Sequence, residues 1–336
     1  MRYLYTADLH FSNYSNDLVV KETGLSERLH SLVSTLLNMI KYAREARIKT
    51  LTIGGDILHN KSVIYSFALS VLIDILKNNS DITFILLDGN HDMSSRTSDC
   101  VSGLKSLDAI TNVHVIHEIE RSENILFVPW KHITKELVQK ESADYLISHF
   151  GLNEAVLNSG ISIVSDISIK DLTNFKTVLL GHYHKAQELK YKDTDLYYVG
   201  SLIQLDRGEK NEEKRFLEVD TDLNTVISIP SIGYKKFYEF TLTEENKQKI
   251  LDEARELKNF GHEVRLLKTS NVDTTSIDKE FVVVDKQEKD ITNRGITSNM
   301  SASDKLNRFL EIKGIPEDKR EMYRNVAIEI IEKCST

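Results

Sequence analysis

The hydrophobic pattern of the first two hundred residues alternates between short apolar runs and longer stretches with helical spacing. At 26–46 and 62–78, apolar side chains recur every three or four residues, which predicts two amphipathic helices. The short apolar runs predict strands at 2–7, 50–56, 82–87, 113–117, 124–129, 144–149, 176–181 and 196–200. Because strands outnumber helices, the pattern favours an α/β fold of two stacked β-sheets flanked by helices over a single doubly wound sheet.

The pattern changes after residue 208, where a charged run precedes shorter elements. Predicted strands at 216–219, 225–229, 236–242, 262–268 and 281–285, with a helix at 244–258, indicate a small α+β unit. A polar stretch without periodicity follows and then two short amphipathic helices. The chain therefore divides into a first domain at 1–208, an α+β domain at 209–285, a linker at 286–302 and a helical tail at 303–336.

Composition fits a globular protein of two or three domains, with 336 residues of which 40% are hydrophobic and 28% charged. The longest apolar run, at 67–76, is too short to span a bilayer, so we expect no membrane segment. Cys100 and Cys334 are the only cysteines, which predicts a reduced protein without a disulfide framework. Asp8 follows the amino terminus too closely for a signal peptide, and we therefore expect a cytoplasmic protein.

Side chains able to do chemistry end five of the predicted strands. The motifs are Asp8-Leu9-His10, Gly55-Asp56-Ile57-Leu58-His59, Gly89-Asn90-His91-Asp92, Ser148-His149 and Gly181-His182-Tyr183-His184. Residues two apart on an extended chain point to one side, so the Asp-x-His and His-x-His pairs can each converge on one centre. A lone histidine at a strand end is usually a packing or capping residue, but five such motifs in order do not share that explanation. By contrast, His30, His114, His117, His132 and His262 have no such context and are interpreted as surface or core histidines.

The donor set predicts a binding site for divalent metals. It combines carboxylates, imidazoles and one amide without a thiolate, which suits manganese, iron or zinc and does not choose among them. Seven donors exceed the needs of one ion, so we expect two ions, which can together catalyse an in-line phosphoryl displacement. A net charge of −8 argues against a broad basic surface for nucleic acid, but bound cations can supply positive charge locally.

The ordered motifs resemble the signature of the calcineurin-like metallophosphoesterase superfamily over roughly the first 200 residues. The resemblance implies the metallophosphoesterase sandwich fold. One implied metal site consists of Asp8, His10, Asp56 and His184, and the other of Asp56, Asn90, His149 and His182. His91 is then left free of metal, to contact the phosphate or protonate the leaving oxygen.

Details of the motifs resemble the SbcD-type DNA repair nucleases and, in chain length, the recombination endonuclease subunits of large phages. The matching segments are Ile57-Leu58-His59, Ser94-Ser95-Arg96, Lys185-Ala186-Gln187, Tyr198-Val199-Gly200-Ser201 and Asp206-Arg207-Gly208-Glu209. His59 matches a second histidine of these nucleases that does not bind metal and helps to position the nucleic-acid backbone. Alternatively, His59 is a histidine at the start of a helix or on the surface, without a role in binding nucleic acid.

This branch implies manganese-dependent hydrolysis of DNA in repair, recombination or replication, in the host cytoplasm if the chain is phage-encoded. It implies that 209–285 caps the site, and that a homodimer joins an SbcC-type coiled-coil ABC ATPase in a two-plus-two complex. The helices of the tail would dock on that ATPase; alternatively, Leu306, Phe309, Val326 and Ile330 pack on the chain's own core. Two other functions stay open, namely a stand-alone phosphomonoesterase or cyclic-nucleotide phosphodiesterase, and a metal-free scaffold.

Overall fold

The structure, a computed structural model, describes most of the chain. The described residues are 1–14, 17–61, 63–97, 100–160, 164–269, 272, 277, 281–285, 302–324 and 326. The strands are β1 (Arg2–Thr6), β2 (Thr50–Ile53), β3 (Thr83–Leu87), β4 (Val113–Ile116), β5 (Glu120–Ser122), β6 (Ile125–Val128), β7 (Ala143–His149), β8 (Phe175–Gly181), β9 (Gln187–Tyr191), β10 (Thr194–Tyr198), β11 (Arg215–Asp220), β12 (Thr225–Pro230), β13 (Phe237–Leu242), β14 (Glu263–Lys268) and β15 (Val282–Asp285). The helices are α1 (Glu27–Glu45), α2 (Ser66–Asn78), α3 (Lys135–Lys140), α4 (Lys247–Asn259) and α5 (Ala302–Ile312).

Two six-stranded sheets form the body of the molecule, in the orders β12-β11-β1-β2-β3-β4 and β5-β6-β7-β8-β10-β9. Apolar residues of both sheets meet in one buried cluster, which includes Tyr5, Leu87, Phe127 and Ile147. A second cluster packs α1 and α2 on the outer face of the first sheet. The predicted fold of two stacked sheets flanked by helices is therefore confirmed.

Parallel pairing brings the strand ends that carry the motifs to the same edge of each sheet. In the first sheet, β1, β2 and β3 are parallel neighbours, with Leu4 opposite Leu51 and Leu51 opposite Phe84. In the second, β7 and β8 are parallel, and His149 lies opposite Gly181. All five motifs lie at or just after the carboxyl ends of these strands, where open α/β sheets bind their ligands.

The predicted boundary at residue 208 does not follow the sheets. The sequence pattern places β11 and β12 in the second domain, but β11 pairs antiparallel with β1 and with β12, so both strands extend the first sheet. Leu217 and Val219 are fully buried between the two sheets, and β11 covers an edge of β1 that would otherwise be unpaired. The smaller sheet, β13-β14-β15, therefore begins only at Phe237, with α4 packed against it. The capping role of this unit stays a prediction.

The predicted helical tail is described in part. Helix α5 is followed by a helical segment at 317–324, as the pattern predicts, whereas the linker positions 286–301 and the end of the tail, with Ile330, lie outside the described residues. Leu310 is buried, but Phe309 and Val326 are 45% and 50% exposed. No helix in the described part of the chain combines the length and apolar character needed to cross a bilayer.

Candidate metal centre

Four of the predicted metal ligands have a backbone conformation that is unusual for residues other than glycine. The φ angles are 54° at Asp8, 52° at His10, 53° at Asp56 and 95° at His182. Such left-handed residues persist only where the surroundings hold them, and they are frequent at functional sites. Here the loops after β1 and β2 hold each other, because the N–H of Asp8 donates to Gly55 O at 3.0 Å and that of His10 to Asp56 O at 2.9 Å.

Glycines let the loops approach each other closely around Asp56 and His149. A Cβ atom on Gly89 would lie 2.4 Å from Oδ1 of Asp56, and one on Gly55 would lie 2.4 Å from Nδ1 of His149. A Cβ on Gly181 would lie 2.7 Å from the same His149 nitrogen. The glycines of these three motifs therefore leave the space that the buried carboxylate and imidazole occupy.

Asp8, His10 and His184 form the first group of converging donors, and their ligand atoms lie within 4.8 Å of one another. The Nε2 atoms of His10 and His184 are 3.0 Å apart. Oδ2 of Asp56 lies 3.8 Å from Nε2 of His10. Together with Asp56, this group makes up the four residues implied for one metal ion.

Asp56, His149 and His182 form the second group, again with ligand atoms within 4.8 Å. Oδ2 of Asp56 lies 3.3 Å from Nε2 of His149. The amide oxygen of Asn90 joins the group, at 3.1 Å from Nε2 of His149 and 2.9 Å from Nδ1 of His182. One carboxylate oxygen, Oδ2 of Asp56, thus faces both groups.

Burial controls the protonation of these side chains. It lowers the pKa of His182 to about 3 and that of His10 well below its usual value, which keeps both imidazoles neutral and able to coordinate a cation. At His149 burial also acts to lower the pKa, but the carboxylates of Asp56 and Asp8 outweigh it and raise the pKa to about 9. Without a metal, His149 therefore serves as the positive partner of these buried carboxylates.

The charges and donor atoms of the cluster fit two divalent cations. Asp8 and Asp56 are buried carboxylates, and within the described residues their ion-pair partners are imidazoles, with no lysine or arginine. Buried negative charge of this kind requires a positive partner. Nδ1–H of His149 donates to Gly54 O at 2.8 Å, so Nε2 faces the cluster and, once it has lost its proton, can bind a metal.

Glu209, a buried glutamate with no predicted role, supports His184. Glu209 is 2% exposed and accepts hydrogen bonds from Nδ1 of His184 at 2.8 Å and from Oγ of Ser201 at 2.8 Å. Burial acts to raise the pKa of Glu209, but His184 and the buried ammonium of Lys214, at 2.7 Å, lower it to about 2. Glu209 begins a charged run, which is typical of a solvated segment. The available signal for its role was its place in Asp206-Arg207-Gly208-Glu209, one of the segments that resemble the SbcD-type nucleases.

Asp92 is a second residue whose role the sequence did not indicate. Its buried carboxylate accepts hydrogen bonds from the backbone N–H groups of Leu58 at 2.8 Å and of Gly89 at 2.9 Å. It therefore ties the loop that carries Asp56 to the loop that carries Asn90. The motif position of Asp92, two residues after Asn90, was the available signal.

His91 lies at the mouth of the cluster, with a side chain that is 33% exposed. Its backbone N–H donates to Oδ1 of Asp56 at 2.7 Å, and its Nε2 lies 3.9 Å from Oδ2 of Asp56. Its Nδ1 contacts the carbonyl oxygen of His59 at 2.5 Å, and the two rings face each other with centroids 6.2 Å apart. His10, Asp56 and His91 form a third group of converging donors, whereas His59 belongs to none among the described residues.

The structure thus brings all nine predicted site residues into one region. The seven predicted ligands lie in the cluster, and His91 and His59 lie beside each other at its mouth. Which of them bind metal and which act on the substrate stays a prediction.

Comparison with known proteins identifies the family. Residues 1–186 match the model of the calcineurin-like phosphoesterases, which is more than half of the chain, and the protein belongs to this family. Members of the family are metal-dependent hydrolases of phosphate esters with a dinuclear centre of divalent ions. The corresponding feature of this chain is the pair of donor groups, with Asp56 in the second group and its Oδ2 3.8 Å from Nε2 of His10 in the first.

Two solved structures are similar to this chain. An archaeal phosphodiesterase is 11% identical, with a TM-score of 0.37, over 68% of this chain and 99% of its own. A dimetal phosphatase from Danio rerio is 13% identical, with a TM-score of 0.41, over 69% of this chain and 99% of its own.

Proposed function

We propose that the protein is a metal-dependent nuclease that hydrolyses phosphodiester bonds in DNA. The observation that carries this proposal is the position of His91, a partly exposed imidazole beside the Asp56 carboxylate, which faces both donor groups. A phosphate held at the cluster would meet His91 from the solvent side. The resemblance of the segments around His59 and Arg96 to DNA repair nucleases supports DNA as the substrate.

The residues of the cluster have distinct tasks in this proposal. Asp8, His10 and His184 hold one ion, Asn90, His149 and His182 hold the other, and Asp56 contributes to both. The two ions would supply an activated water and stabilise the negative charge that develops on the phosphate. The neighbouring carboxylates and the Glu209–His184 hydrogen bond orient the donors before substrate arrives.

His91 is suited to move a proton at the leaving oxygen. When Nδ1–H of His91 donates to the His59 carbonyl, its Nε2 is the atom that faces the cluster and can exchange a proton with substrate. A protonated Nε2 can hydrogen-bond a phosphate oxygen or donate its proton to the oxygen that leaves. His59 positions His91 through this carbonyl, and its own ring extends the surface available to the DNA backbone.

Side-by-side hydrolysis assays test the substrate class. With manganese present, the proposal predicts cleavage of DNA and of a phosphodiester chromogen, and much slower turnover of a phosphomonoester chromogen. Fast turnover of the monoester or of a cyclic nucleotide, with DNA left intact, would instead assign the alternative enzyme class. A chain that retained no ion after incubation with manganese would be the metal-free scaffold.

The assembly and the native metal are further parts of the proposal. We propose manganese as the native ion and a homodimer that works with an SbcC-type coiled-coil ATPase in the cytoplasm, host or cellular. The partly exposed Phe309 and Val326 of the tail support a docking surface for that partner. Co-purification of the full chain with a coiled-coil ATPase would support the assembly, and loss of that complex on truncation after residue 301 would assign the contact to the tail.

A further inference from the structure

A cavity beside the metal centre has no role in the proposed hydrolysis. Its volume is about 580 Å³, which is within the range of small-molecule sites. His182, a predicted metal ligand, forms part of its wall together with Phe150 and Gly151. The cavity therefore lies next to the place where a phosphate held at the metal centre would sit.

The cavity contains the single tryptophan of the chain. Trp130 follows β6, and its backbone N–H donates to Asp88 O at 3.0 Å, which fixes the start of the turn that carries the ring. The guanidinium carbon of Arg96 lies 4.4 Å from the centroid of the indole ring. No carboxylate among the described residues forms an ion pair with Arg96, so the guanidinium is held by the ring itself.

The charges of the wall favour a neutral, flat ligand over a second phosphate. Arg96 and Lys135 are balanced by Glu136 and Asp166, and the ammonium of Lys135 also lies 3.3 Å from Asp171. What remains distinctive is the stack of an indole ring and a guanidinium plane, with polar atoms around it. Aromatic rings and arginine planes of this kind are the surfaces on which proteins stack unpaired bases.

We propose that this cavity takes an unpaired nucleobase, stacked on Trp130 and Arg96, from the nucleotide adjoining the phosphodiester at the metal centre. The proposal rests on the proposed nuclease function, because a nucleic-acid phosphate at the centre is what would deliver the base. A base inside a duplex is not available for stacking, so this subsite selects single strands and frayed ends. Trp130 and Arg96 are then binding residues that determine specificity.

Binding of oligothymidylate, compared with an abasic strand of the same length, tests the subsite directly. The two strands carry the same phosphates and differ in their bases, and anisotropy of a labelled strand reports binding whether or not the strand is cleaved. With metal-loaded His91→Ala protein, we expect the abasic strand to bind about ten-fold more weakly or worse. Fluorescence of Trp130 should change with oligothymidylate and much less with the abasic strand.

Variants of the cavity residues test whether the preference for oligothymidylate over the abasic strand arises in this cavity. In the same background, Trp130→Ala should remove most of the discrimination between the strands, and Trp130→Phe should restore much of it because a flat ring remains. Arg96→Ala, which removes an exposed side chain, should reduce the discrimination and keep the fold. Tyr191→Ala is the matched control, because Tyr191 also carries a cation over its ring, Lys192 at 5.6 Å, but lies outside the cavity.

The outcomes separate this proposal from the nuclease function. Equal binding of both strands, or undiminished discrimination by Trp130→Ala and Arg96→Ala, would overturn the subsite. Wild-type protein that cleaved the thymidylate and abasic strands equally well would show a nuclease without this subsite. Wild-type protein that discriminated through Trp130 but cleaved no DNA with any divalent metal would retain the base-binding subsite and overturn the nuclease function.

Discussion

The carboxylate of Glu209 accepts a hydrogen bond from Nδ1 of His184 at 2.8 Å. This contact fixes the imidazole so that its Nε2 lone pair faces Nε2 of His10, 3.0 Å away. Glu209 is itself held by the buried ammonium of Lys214, so the orientation of a proposed metal ligand depends on an ion pair behind it. The residues that orient the metal ligands therefore include Glu209 and Lys214, which are not predicted ligands.

Replacing Glu209 should weaken one metal site more than the other. Glu209→Gln removes the negative charge that increases the basicity of His184, and loss of such a partner typically lowers metal affinity about 10- to 100-fold. Calorimetric titration with manganese should show this loss at one of two sites. Glu212→Gln is the control, because Glu212 contacts Lys214 at 3.1 Å without touching the imidazole of His184. Affinities at both sites of Glu209→Gln equal to those of wild type would contradict the supporting role.

The same residue should affect acid stability of the metal-free protein. The pKa of Glu209 in the fold is about 2, below its usual value of 4.5, so its ionised form stabilises the fold above pH 4.5 and this contribution is lost as the pH falls toward 2. Urea unfolding at pH 5 and at pH 3 in the presence of a chelator should show a steeper loss of stability for wild type than for Glu209→Gln. Parallel losses in the two proteins would mean that Glu209 does not contribute.

His91→Ala should separate catalysis from metal binding. We expect both ions to remain bound and hydrolysis of a phosphodiester to fall by about 100- to 10,000-fold, as for loss of a general acid. Elemental analysis and initial rates measured on the same preparation check both parts. His114→Ala is the control, since His114 pairs with Glu120 at 2.8 Å on exposed strands and should keep full activity. Loss of an ion from His91→Ala would instead make His91 a metal ligand.

Gly89→Ala should distort the metal centre by a steric clash, without removing any ligand. The new methyl group would lie 2.2 Å from the backbone nitrogen of Asp56, so the loop carrying Asp56 must shift. Reduced manganese occupancy with a native far-UV circular dichroism spectrum is the expected result. Gly24→Ala is the control, because a Cβ on Gly24 would meet nothing within 4 Å even though its φ is positive, 71°, and this variant should keep both ions.

The sequence predicts the convergence of the seven donors because each lies at or just after the end of a strand, and parallel strands end at a common edge. Asp8, Asn90 and His149 could therefore be brought together without knowledge of their distances. Glu209 could not, since its contact with His184 joins segments 25 residues apart through a charged stretch. The pattern also predicts the strand β11. It does not predict that Val219 pairs with Tyr3, because β1 lies more than two hundred residues earlier in the chain. Short or polar elements such as α3 and the edge strand β9 carry too weak a periodicity to be found.

The central claim is that Asp56 joins two metal ions, and the number of ions bound per chain tests it most directly. Its Oδ2 faces His10 at 3.8 Å and His149 at 3.3 Å, which belong to different donor groups. After equilibration with manganese, elemental analysis should find two ions in wild type, about one in His149→Ala, and a loss at both sites in Asp56→Asn. Asp56→Asn protein that keeps one tightly bound ion, with the affinity of wild type, would contradict the shared carboxylate.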